Sequence, residues 1–460
     1  MNPSFARERI AIAAVLLAMA LVVLDAGMVA VALPTIGQAL GEPPARSLLA
    51  VTAYQLALLV GLLPAAQVAD QVGYRRLFAG GILVFAGSAV LCAIAPTLPL
   101  LVAARFLQGL GGAAIMALGI ALLRSALGAD RLAAAIGWNA LVVASCSALG
   151  PAIGALLLSI ASWRWLFVIG LPVAASALVA AGALPADKPA GRPLDPLGIS
   201  LYAAAISCLV AGAEAVRHDP LVAMILGAGA FFFAARLLTR ERAKTAPLLP
   251  LDLLALRPFR ASATASVFFF TGQSAGLLAL PFHLQLSLGR SAAAAGLLIA
   301  LWPLAVALVS PVAARLAGRF QARSLCGAGA LMLAAGLAGL ALSPTAATIV
   351  PLSLFALLCG AGFGLFQVPN NRTMFLAAPA SRSAAAGGLQ GTARLAGQTA
   401  GALMVGFVLS AAPMTVAPRV AFGLAAAAAL GAAWVNRRRN DAKDGSNLAF
   451  AASREPAGGG

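Results

Sequence analysis

Two ionisable side chains lie inside long apolar stretches, and they are the first candidates for chemistry. Asp25 lies between LLAMALVVL and AGMVAVALP, and Arg105 lies in the run ARFLQGLGGAA. A charged group in the middle of a bilayer costs a few kcal/mol, so each needs a partner or a function. Because desolvation disfavours the charged form of a carboxylate, an acid at this depth can take up and release a proton. The sequence therefore predicts Asp25 as a proton-coupling group; the alternative is a neutral aspartate that joins helices by hydrogen bonds.

Arg105 is the natural counterpart of Asp25. A guanidinium group stays charged at any relevant pH, so it needs a carboxylate, a carbonyl or water inside the protein. Gln108 and Gly109 follow about one helical turn later. If Arg105 contacts Asp25 in one conformation and leaves it in another, the proton affinity of the carboxylate alternates, and a proton becomes coupled to a conformational change. A structural clamp on backbone carbonyls is the alternative role of Arg105.

The other reactive residue types do not form a recognisable enzyme or metal site. The histidines, His218 and His283, are predicted near the outer surface without a partner at a readable spacing. The cysteines stand singly, without a CxxC pair or a histidine at metal-ligand spacing; they are Cys92, Cys146, Cys208, Cys326 and Cys359. We expect packing roles for the cysteines, no metal and no cofactor, and an enzyme is the most distant alternative.

The composition indicates that helices in a membrane position these side chains. Of 460 residues, 62% are hydrophobic and only 10% are charged, and apolar runs of about 20 residues recur along the chain. Small Ala and Gly residues with few aromatics suit close helix packing in lipid better than a β-barrel. We predict an all-α membrane protein whose spans lie near 10–33, 47–70, 77–96, 98–123, 133–158, 165–184, 197–216, 220–235, 261–283, 291–314, 324–343, 346–369, 384–411 and 420–436.

The distribution of charge predicts the orientation of the chain. With both termini in the cytoplasm, fourteen spans place most of the 31 Lys and Arg residues in cytoplasmic segments, as the positive-inside rule requires. The net charge of +17 then reflects topology rather than binding to nucleic acid. We predict a multi-pass protein of the bacterial cytoplasmic (inner) membrane. Glu214 falls near the outer end of the seventh span, where a solvated helix end is the simplest interpretation.

The predicted organisation is six spans, a pair and six spans. An N-terminal bundle covers residues 1–186, a linker and two-helix insertion covers 187–245, an interfacial segment and C-terminal bundle covers 246–436, and a cytoplasmic tail covers 437–460. Pro-rich charged segments separate these units. Two such bundles rock around a site near the midplane in many transporters.

Several ordered motifs resemble those of a known family. LDAGMVAVALPTIGQAL, AAQVADQVGYRRLF, RFLQGLGGAA and ALGPAIGALLLSIASWRWLF resemble the motifs of major facilitator drug:proton antiporters of the fourteen-span branch. LPFHLQLSLGRSAAAAGLLIALWP, GFGLFQVPNN and GGLQGTARLAGQTAGAL are similar to its second half, so the resemblance covers nearly the whole chain. It implies the major facilitator fold, with two six-helix bundles and a two-helix insertion.

The resemblance also implies roles for individual positions. The matched positions are Asp25 and Arg105 for proton coupling, Gln108 and Gly109 in the span-four relay motif, Asp70, Gly73, Arg75 and Arg76 in a cytoplasmic motif that latches the two bundles, and Gly150, Pro151 and Gly154 in the span-five antiporter motif. Departures from the family pattern occur at Ala66, Gln71, Tyr74, Cys146 and Ala155. We expect these departures to affect the strength of the latch and the tightness of the seal.

The resulting functional prediction is export of small, largely apolar compounds in exchange for protons. The driving force is a proton gradient, the partners are a small molecule, protons and lipid, and the protein is expected to be a monomer. No second acid is convincingly buried, which favours neutral, anionic or monocationic cargo. Aromatic residues such as Phe269, Trp302 and Phe366 either line a pocket or only pack. Proton-coupled uptake by a symporter of the same fold is the alternative.

Overall fold

The computed structural model describes residues 3–127, 129–185, 194–216, 218–242, 244, 248–344, 348–379 and 382–438, and their regular structure is helical throughout. The middle of the predicted linker, residues 186–193, and most of the predicted tail, residues 439–460, lie outside these ranges. The helices are α1 (Pro3–Ala39), α2 (Pro44–Ser47), α3 (Leu49–Val72), α4 (Tyr74–Ile94), α5 (Leu98–Ala126), α6 (Ala129–Ile160), α7 (Trp165–Val168), α8 (Leu171–Ala181), α9 (Pro196–Ala215), α10 (Pro220–Glu241), α11 (Leu251–Ala255), α12 (Arg257–Phe282), α13 (Ala292–Leu316), α14 (Ala322–Leu342), α15 (Ile349–Ala377), α16 (Ser383–Ala411) and α17 (Ala417–Arg438).

A helix lies at each of the fourteen predicted spans. Among the described residues, eleven helices are long and apolar enough to cross a membrane. The fifth and sixth spans correspond to shorter apolar stretches in α6 and α7–α8, and the thirteenth corresponds to α16, which carries several polar residues. Most helices extend beyond the predicted limits, α1 by six or seven residues at each end, because hydropathy marks only the apolar centre of a helix. The predicted interfacial helix is limited to the five residues of α11.

Each six-helix bundle contains a close crossing built on glycine. In the first bundle, a Cβ at Gly111 of α5 would lie 2.7 Å from the carbonyl oxygen of Gly81 in α4. In the second bundle, a Cβ at Gly329 of α14 would lie 2.6 Å from the carbonyl oxygen of Gly362 in α15. Small residues of this kind allow helix backbones to approach closely in lipid. The two bundles therefore contain equivalent helix crossings.

The two bundles meet along α3 with α16 and along α6 with α13, and α1 also contacts α12. The α9–α10 pair packs on itself and covers the first of these seams, where α9 contacts both α3 and α16. The hydroxyl of Tyr202 in α9 donates a 3.0 Å hydrogen bond to the carbonyl of Leu59 in α3. The molecule therefore has the major facilitator architecture of two six-helix bundles with a two-helix insertion.

The bundles are in contact at the end where α1 and α6 finish, which is the outer end in the predicted orientation. Gln285, in the π-helical turn His283–Ser287 after α12, donates a 3.0 Å hydrogen bond from Nε2 to the carbonyl of Val31 in α1. Near the start of α13, Gly296 lies directly against Pro151 and Ala155 of α6. These contacts join the two bundles at that end.

Candidate functional site

Asp25 and Arg105 meet in the interior of the first bundle. Together with Gln108 they form a group in which each side chain is hydrogen-bonded to the other two. Nη1 of Arg105 donates to Oδ2 of Asp25 at 2.6 Å and to Oε1 of Gln108 at 2.7 Å. Nε2 of Gln108 donates to Oδ1 of Asp25 at 3.1 Å. The exposed fraction is 3% for Asp25, 1% for Arg105 and 0% for Gln108. Both carboxylate oxygens of Asp25 and the amide oxygen of Gln108 accept hydrogen bonds within this group. Asp25 and Arg105 are therefore a buried ion pair rather than two isolated charges.

The surroundings of Arg105 hold the guanidinium in place. It stacks over the ring of Tyr54, 4.1 Å from the ring centroid, and Phe167 lies 5.8 Å away. Nε donates to the carbonyl of Ala50, and the thiol of Cys92 donates to Gln108 at 3.6 Å. Cation–π contacts are stronger in a desolvated site than at a surface. Arg105 therefore contacts both the carboxylate of Asp25 and a backbone carbonyl.

Gly109 explains how α3 comes close enough to position Tyr54. A Cβ at Gly109 would lie 2.5 Å from the carbonyl oxygen of Tyr54 and 2.7 Å from the side chain of Ala57. Since neither the backbone nor the short alanine can move aside cheaply, the glycine sets the separation of α3 and α5. Gly109 contributes packing to the site rather than a chemical group.

The span-five motif packs against the part of α1 that carries Asp25. A Cβ at Gly150 would lie 3.2 Å from the carbonyl oxygen of Leu24, and a Cβ at Gly154 would lie 2.9 Å from Cα of Met28. Between them, the ring of Pro151 lies against Gly27. Because α6 also contacts α13 of the other bundle, this motif lies between the acid-bearing helix and the second bundle.

A cavity of about 130 Å³ adjoins the group on one side. Asp25 and Gln108 contribute its polar lining, and most of the remaining lining is apolar, including Leu21, Phe85 and Phe167. A volume of this size can hold water, which needs polar partners such as these two side chains. The cavity thus offers space for water beside the carboxylate of Asp25.

The cytoplasmic motif is organised within the first bundle. Gly73 has a φ of +94°, a conformation that L side chains rarely adopt, and it joins α3 to α4. Asp70 accepts a 3.0 Å hydrogen bond from the hydroxyl of Tyr74. Arg75 donates to the carbonyl of Leu184 after α8, and Arg76 is exposed. Arg75 therefore binds a carbonyl of its own bundle; a latch to the second bundle stays a prediction.

Two departures from the family pattern have structural counterparts. Tyr74, at a position where the family often has arginine, supplies the hydroxyl bound by Asp70. Ala155, at the position of a family glycine, is matched by Gly296 on the facing helix, so that close approach is retained with the glycine on the other side. Of the other three, Ala66 and Gln71 are exposed and Cys146 is partly exposed.

Several side chains are more buried than the sequence suggested. Glu241 lies beyond the predicted eighth span, 220–235, yet it ends α10 with a fully buried carboxylate, which pairs with Lys244 at 2.6 Å and accepts from the backbone N–H of Leu249. His283, predicted near the outer surface, is completely buried and packs edge-on against Phe422. Glu214 is partly exposed in the last turn of α9, as a helix-end residue should be.

The aromatic residues of the second bundle mostly pack against one another. Phe269 stacks on Phe366 at 3.9 Å between ring centroids, and Phe363 contacts both Phe269 and Phe270. Trp302 is also buried. Their arrangement favours packing over a role as pocket lining. Within the described part of the chain, no group of three or more His, Cys, Asp or Glu residues could hold a metal ion.

Comparison with known proteins places the chain among membrane transporters. Residues 15–402 and 262–457 match the profile of the Major Facilitator Superfamily. The chain is 38% identical over 410 residues to the uncharacterized transporter YebQ of Escherichia coli, covering 87% of this chain and 89% of that protein. It is 30% identical over 413 residues to the multidrug efflux pump LfrA of Mycolicibacterium smegmatis, covering 88% and 81%.

A solved structure supports the architecture. The crystal structure of a POT family transporter in complex with a thioalcohol conjugated peptide has a TM-score of 0.68 to this chain, covering 91% of this chain and 94% of that one. Since the sequences are only 15% identical, the likeness concerns the fold alone.

Proposed function

Because the chain belongs to the Major Facilitator Superfamily, a class of multi-pass membrane transporters rather than enzymes, we propose that it exports small, largely apolar compounds in exchange for protons. The observation that carries the proposal is the buried group formed by Asp25, Arg105 and Gln108. The similarity to a multidrug efflux pump over most of both chains supports export. We further propose fourteen spans in a bacterial cytoplasmic membrane, with both termini in the cytoplasm.

Protonation of Asp25 is the central step. A proton on Oδ2 would remove the negative charge that Arg105 now pairs with at 2.6 Å. Arg105, which stays charged, would then rely on Gln108 and the carbonyl of Ala50. The Asp25–Arg105 pair is therefore a switch between a paired and a separated state, as an alternating mechanism requires.

The packing of α1 provides a way for this switch to affect the second bundle. Gly150 and Gly154 hold α6 against the α1 turns on either side of Asp25, and α6 in turn contacts α13 at Gly296. A displacement of α1 on protonation would change the contact that now closes the outer end. Proton binding from outside and cargo binding from inside would then exclude each other.

The energy source is the proton gradient, and no cofactor or metal takes part. One pH unit supplies about 1.4 kcal/mol, and 100 mV supplies about 2.3 kcal/mol for each net charge moved. Per proton exchanged, one pH unit can concentrate a cargo about tenfold, and 100 mV can do so about fiftyfold for one net charge moved. The protein would act as a monomer, with the small molecule, protons and lipid as its partners.

Inverted membrane vesicles with an energised, acidic lumen test this proposal. A pH-sensitive dye reports the lumenal pH while antibiotics, dyes and biocides are added to vesicles containing native protein or Asp25→Asn. We expect substrate-dependent alkalinisation of the lumen with native protein, reduced to less than a tenth in Asp25→Asn. Asp219→Asn is the matched control, because that carboxylate is exposed at the start of α10.

The possible results separate the alternatives. Equal signals from native protein and Asp25→Asn would assign Asp25 a structural role and contradict the coupling mechanism. Release of cargo that was loaded into the lumen beforehand, together with lumenal alkalinisation, would instead identify an uptake symporter. A native protein that moves no protons with any compound would contradict proton exchange for that panel of compounds.

A further inference from the structure

Arg394 is a second arginine within the helical core, and no carboxylate pairs with it among the residues that the structure describes. It lies eleven residues into α16, roughly 16 Å from the start of that helix at 1.5 Å per residue. Its Nε is buried and has no hydrogen-bond partner. The side chain as a whole is nevertheless partly exposed. Some accessible space must therefore reach Arg394 inside the molecule or along its surface.

The contacts of α16 show that this space lies inside. Gly391 and Leu395 face the first bundle, since Gly391 lies against Leu62 and Leu395 joins the apolar cluster of that bundle. Gly397 faces the other way, against Val267 and Phe270 of α12. At about 100° per residue, Arg394 falls between these two packed faces. The exposed residues further along, Phe407 and Ser410, point roughly 140–160° away from it.

Four partly exposed positions lie on one face of α16. Gly387, Gln390, Arg394 and Gln398 recur at the three- and four-residue spacing of one helix face, and each is partly exposed. Nε2 of Gln390 donates a 3.1 Å hydrogen bond to Asn371 of α15. The interior face of α16 is thus polar and accessible, as expected for a helix that borders a space between two bundles.

Two unsatisfied acceptors lie near the level of Arg394. Leu62 and Leu63 of α3 lie against Gly391 and Gly388, so Gln55 comes within about one or two turns of Arg394 across the antiparallel pair; its Oε1 is buried and unbonded. On the α15 side, Nδ2 of Asn370 donates to Ser266, whereas its Oδ1 is buried and unbonded. Buried polar atoms without partners are costly, so Gln55 and Asn370 each keep an acceptor free for a donor that enters this space.

The charge balance makes the same point. Asp25 and Arg105 neutralise each other at 2.6 Å, so they contribute no net charge to the core. Glu241 is paired with Lys244 at the end of α10. Among the residues described in the core, Arg394 therefore carries a positive charge without a paired negative charge. A guanidinium group does not lose this charge, because it stays protonated.

We propose that Arg394 binds the negatively charged group of the cargo, so that the transported compounds are amphipathic organic anions such as aromatic carboxylates or phenolates. Arg394 supplies a planar set of donors for the anionic group, and Gln55 and Asn370 supply acceptors for a hydroxyl or amine of the same molecule. This inference rests on the proposed export function, because it assigns that function a class of substrate.

Three pyrene compounds of the same size test the inference: 4-(1-pyrenyl)butyrate, its carboxamide and the corresponding amine. Binding to purified protein in nanodiscs of zwitterionic lipid is followed by energy transfer from tryptophan, with empty nanodiscs as background. We expect native protein to bind the carboxylate at least tenfold more tightly than the carboxamide, and the amine most weakly. Arg394→Gln should reduce the preference for the carboxylate to less than twofold, whereas Arg394→Lys should retain part of it.

Arg372→Gln is the matched control, because Arg372 is an exposed arginine of the same bundle that binds the carbonyl of Ala317. It should keep the native preference. A native protein without preference for the carboxylate, or an Arg394→Gln variant with an unchanged preference and a native unfolding temperature, would falsify the inference. Binding requires no gradient, so the result is independent of the antiport assay. Antiport of the carboxamide as fast as of the carboxylate would overturn the Arg394 site alone.

Discussion

Arg105 and Asp25 form a 2.6 Å ion pair between α5 and α1, with both side chains almost completely buried. Removing one partner of such a pair leaves an uncompensated charge, which costs about 3–5 kcal/mol, whereas removing both charges is often nearly neutral. The ion pair is thus expected to affect stability and transport differently.

The first prediction follows from this difference. Arg105→Gln should destabilise the protein by about 3–5 kcal/mol, because the buried carboxyl group of Asp25 loses its ion-pair partner. The double variant Asp25→Asn with Arg105→Gln should recover most of that loss but remain inactive in transport. Unfolding in detergent, followed by fluorescence, and transport in vesicles measure the two effects separately. Recovery of transport by the double variant would contradict a role of the pair in coupling.

The second prediction concerns the seal between α6 and α1. In Gly154→Ala the new Cβ would lie 2.9 Å from Cα of Met28, so the two helices must separate by several tenths of an ångström. Overpacking of this kind costs about 1–3 kcal/mol. We expect a measurable proton leak in proteoliposomes without cargo, because the α1 segment that carries Asp25 loses its cover.

Gly87→Ala is the control for this measurement. Gly87 is exposed on α4, and a Cβ there meets no atom within 4 Å. The substitution should leave the leak unchanged and slightly stabilise the helix, since alanine is a better helix former than glycine by about 1 kcal/mol. Equal leaks in the two variants would show that the Gly154 contact does not form a seal.

The third prediction is a pH dependence at the start of α9. Asp195 accepts a 2.9 Å hydrogen bond from Arg240 and another from Lys244. Although partial burial opposes ionisation, these hydrogen bonds lower the pKa of Asp195 to about 2. A lowered pKa contributes stability that is complete above the unfolded value of about 4 and is lost as the pH falls towards 2.

Unfolding temperatures of native protein and Asp195→Asn between pH 3 and pH 8 test this. Their difference should be constant from pH 5 to pH 8 and should shrink below about pH 4. Any pH dependence of transport between pH 5 and 8 must then come from another group. A difference that changes with pH near neutrality would be inconsistent with the lowered pKa of Asp195.

Some of this site could be predicted from the sequence, for a physical reason. Asp25 and Arg105 are opposite charges deep inside apolar runs, and the cost of burying either alone makes their pairing the simplest solution. Gln108 follows because residues three apart on a helix are neighbours. The contact between them is found, while their role in proton coupling stays a prediction.

Other features depend on contacts between distant elements, which hydropathy does not encode. Glu241 falls outside the predicted span because α10 continues beyond its apolar part and then packs against the chain near Leu249. The sequence places Arg75 in the cytoplasmic latch motif. It does not indicate that Arg75 binds the carbonyl of Leu184, because this contact depends on where α8 ends. Arg394 lies within the predicted thirteenth span, 384–411, and only the packing of α16 reveals which face it occupies.

The last prediction tests whether Gly296 compensates for Ala155. In native protein the close contact between α6 and α13 has an alanine on α6 and a glycine on α13. Gly296→Ala would bring the methyl groups of residues 155 and 296 to the same place, close to the carbonyl oxygen of Pro151. The outer end should then close less well, and transport should fall at least fivefold. Ala155→Gly combined with Gly296→Ala exchanges the two residues and should restore most of the activity, because the total volume is unchanged. Single Ala155→Gly should have a small effect, as it only removes a methyl group.

If the double variant were no better than Gly296→Ala, the two positions would not be coupled, and the seal would have to depend on other contacts, such as that between Gln285 and Val31.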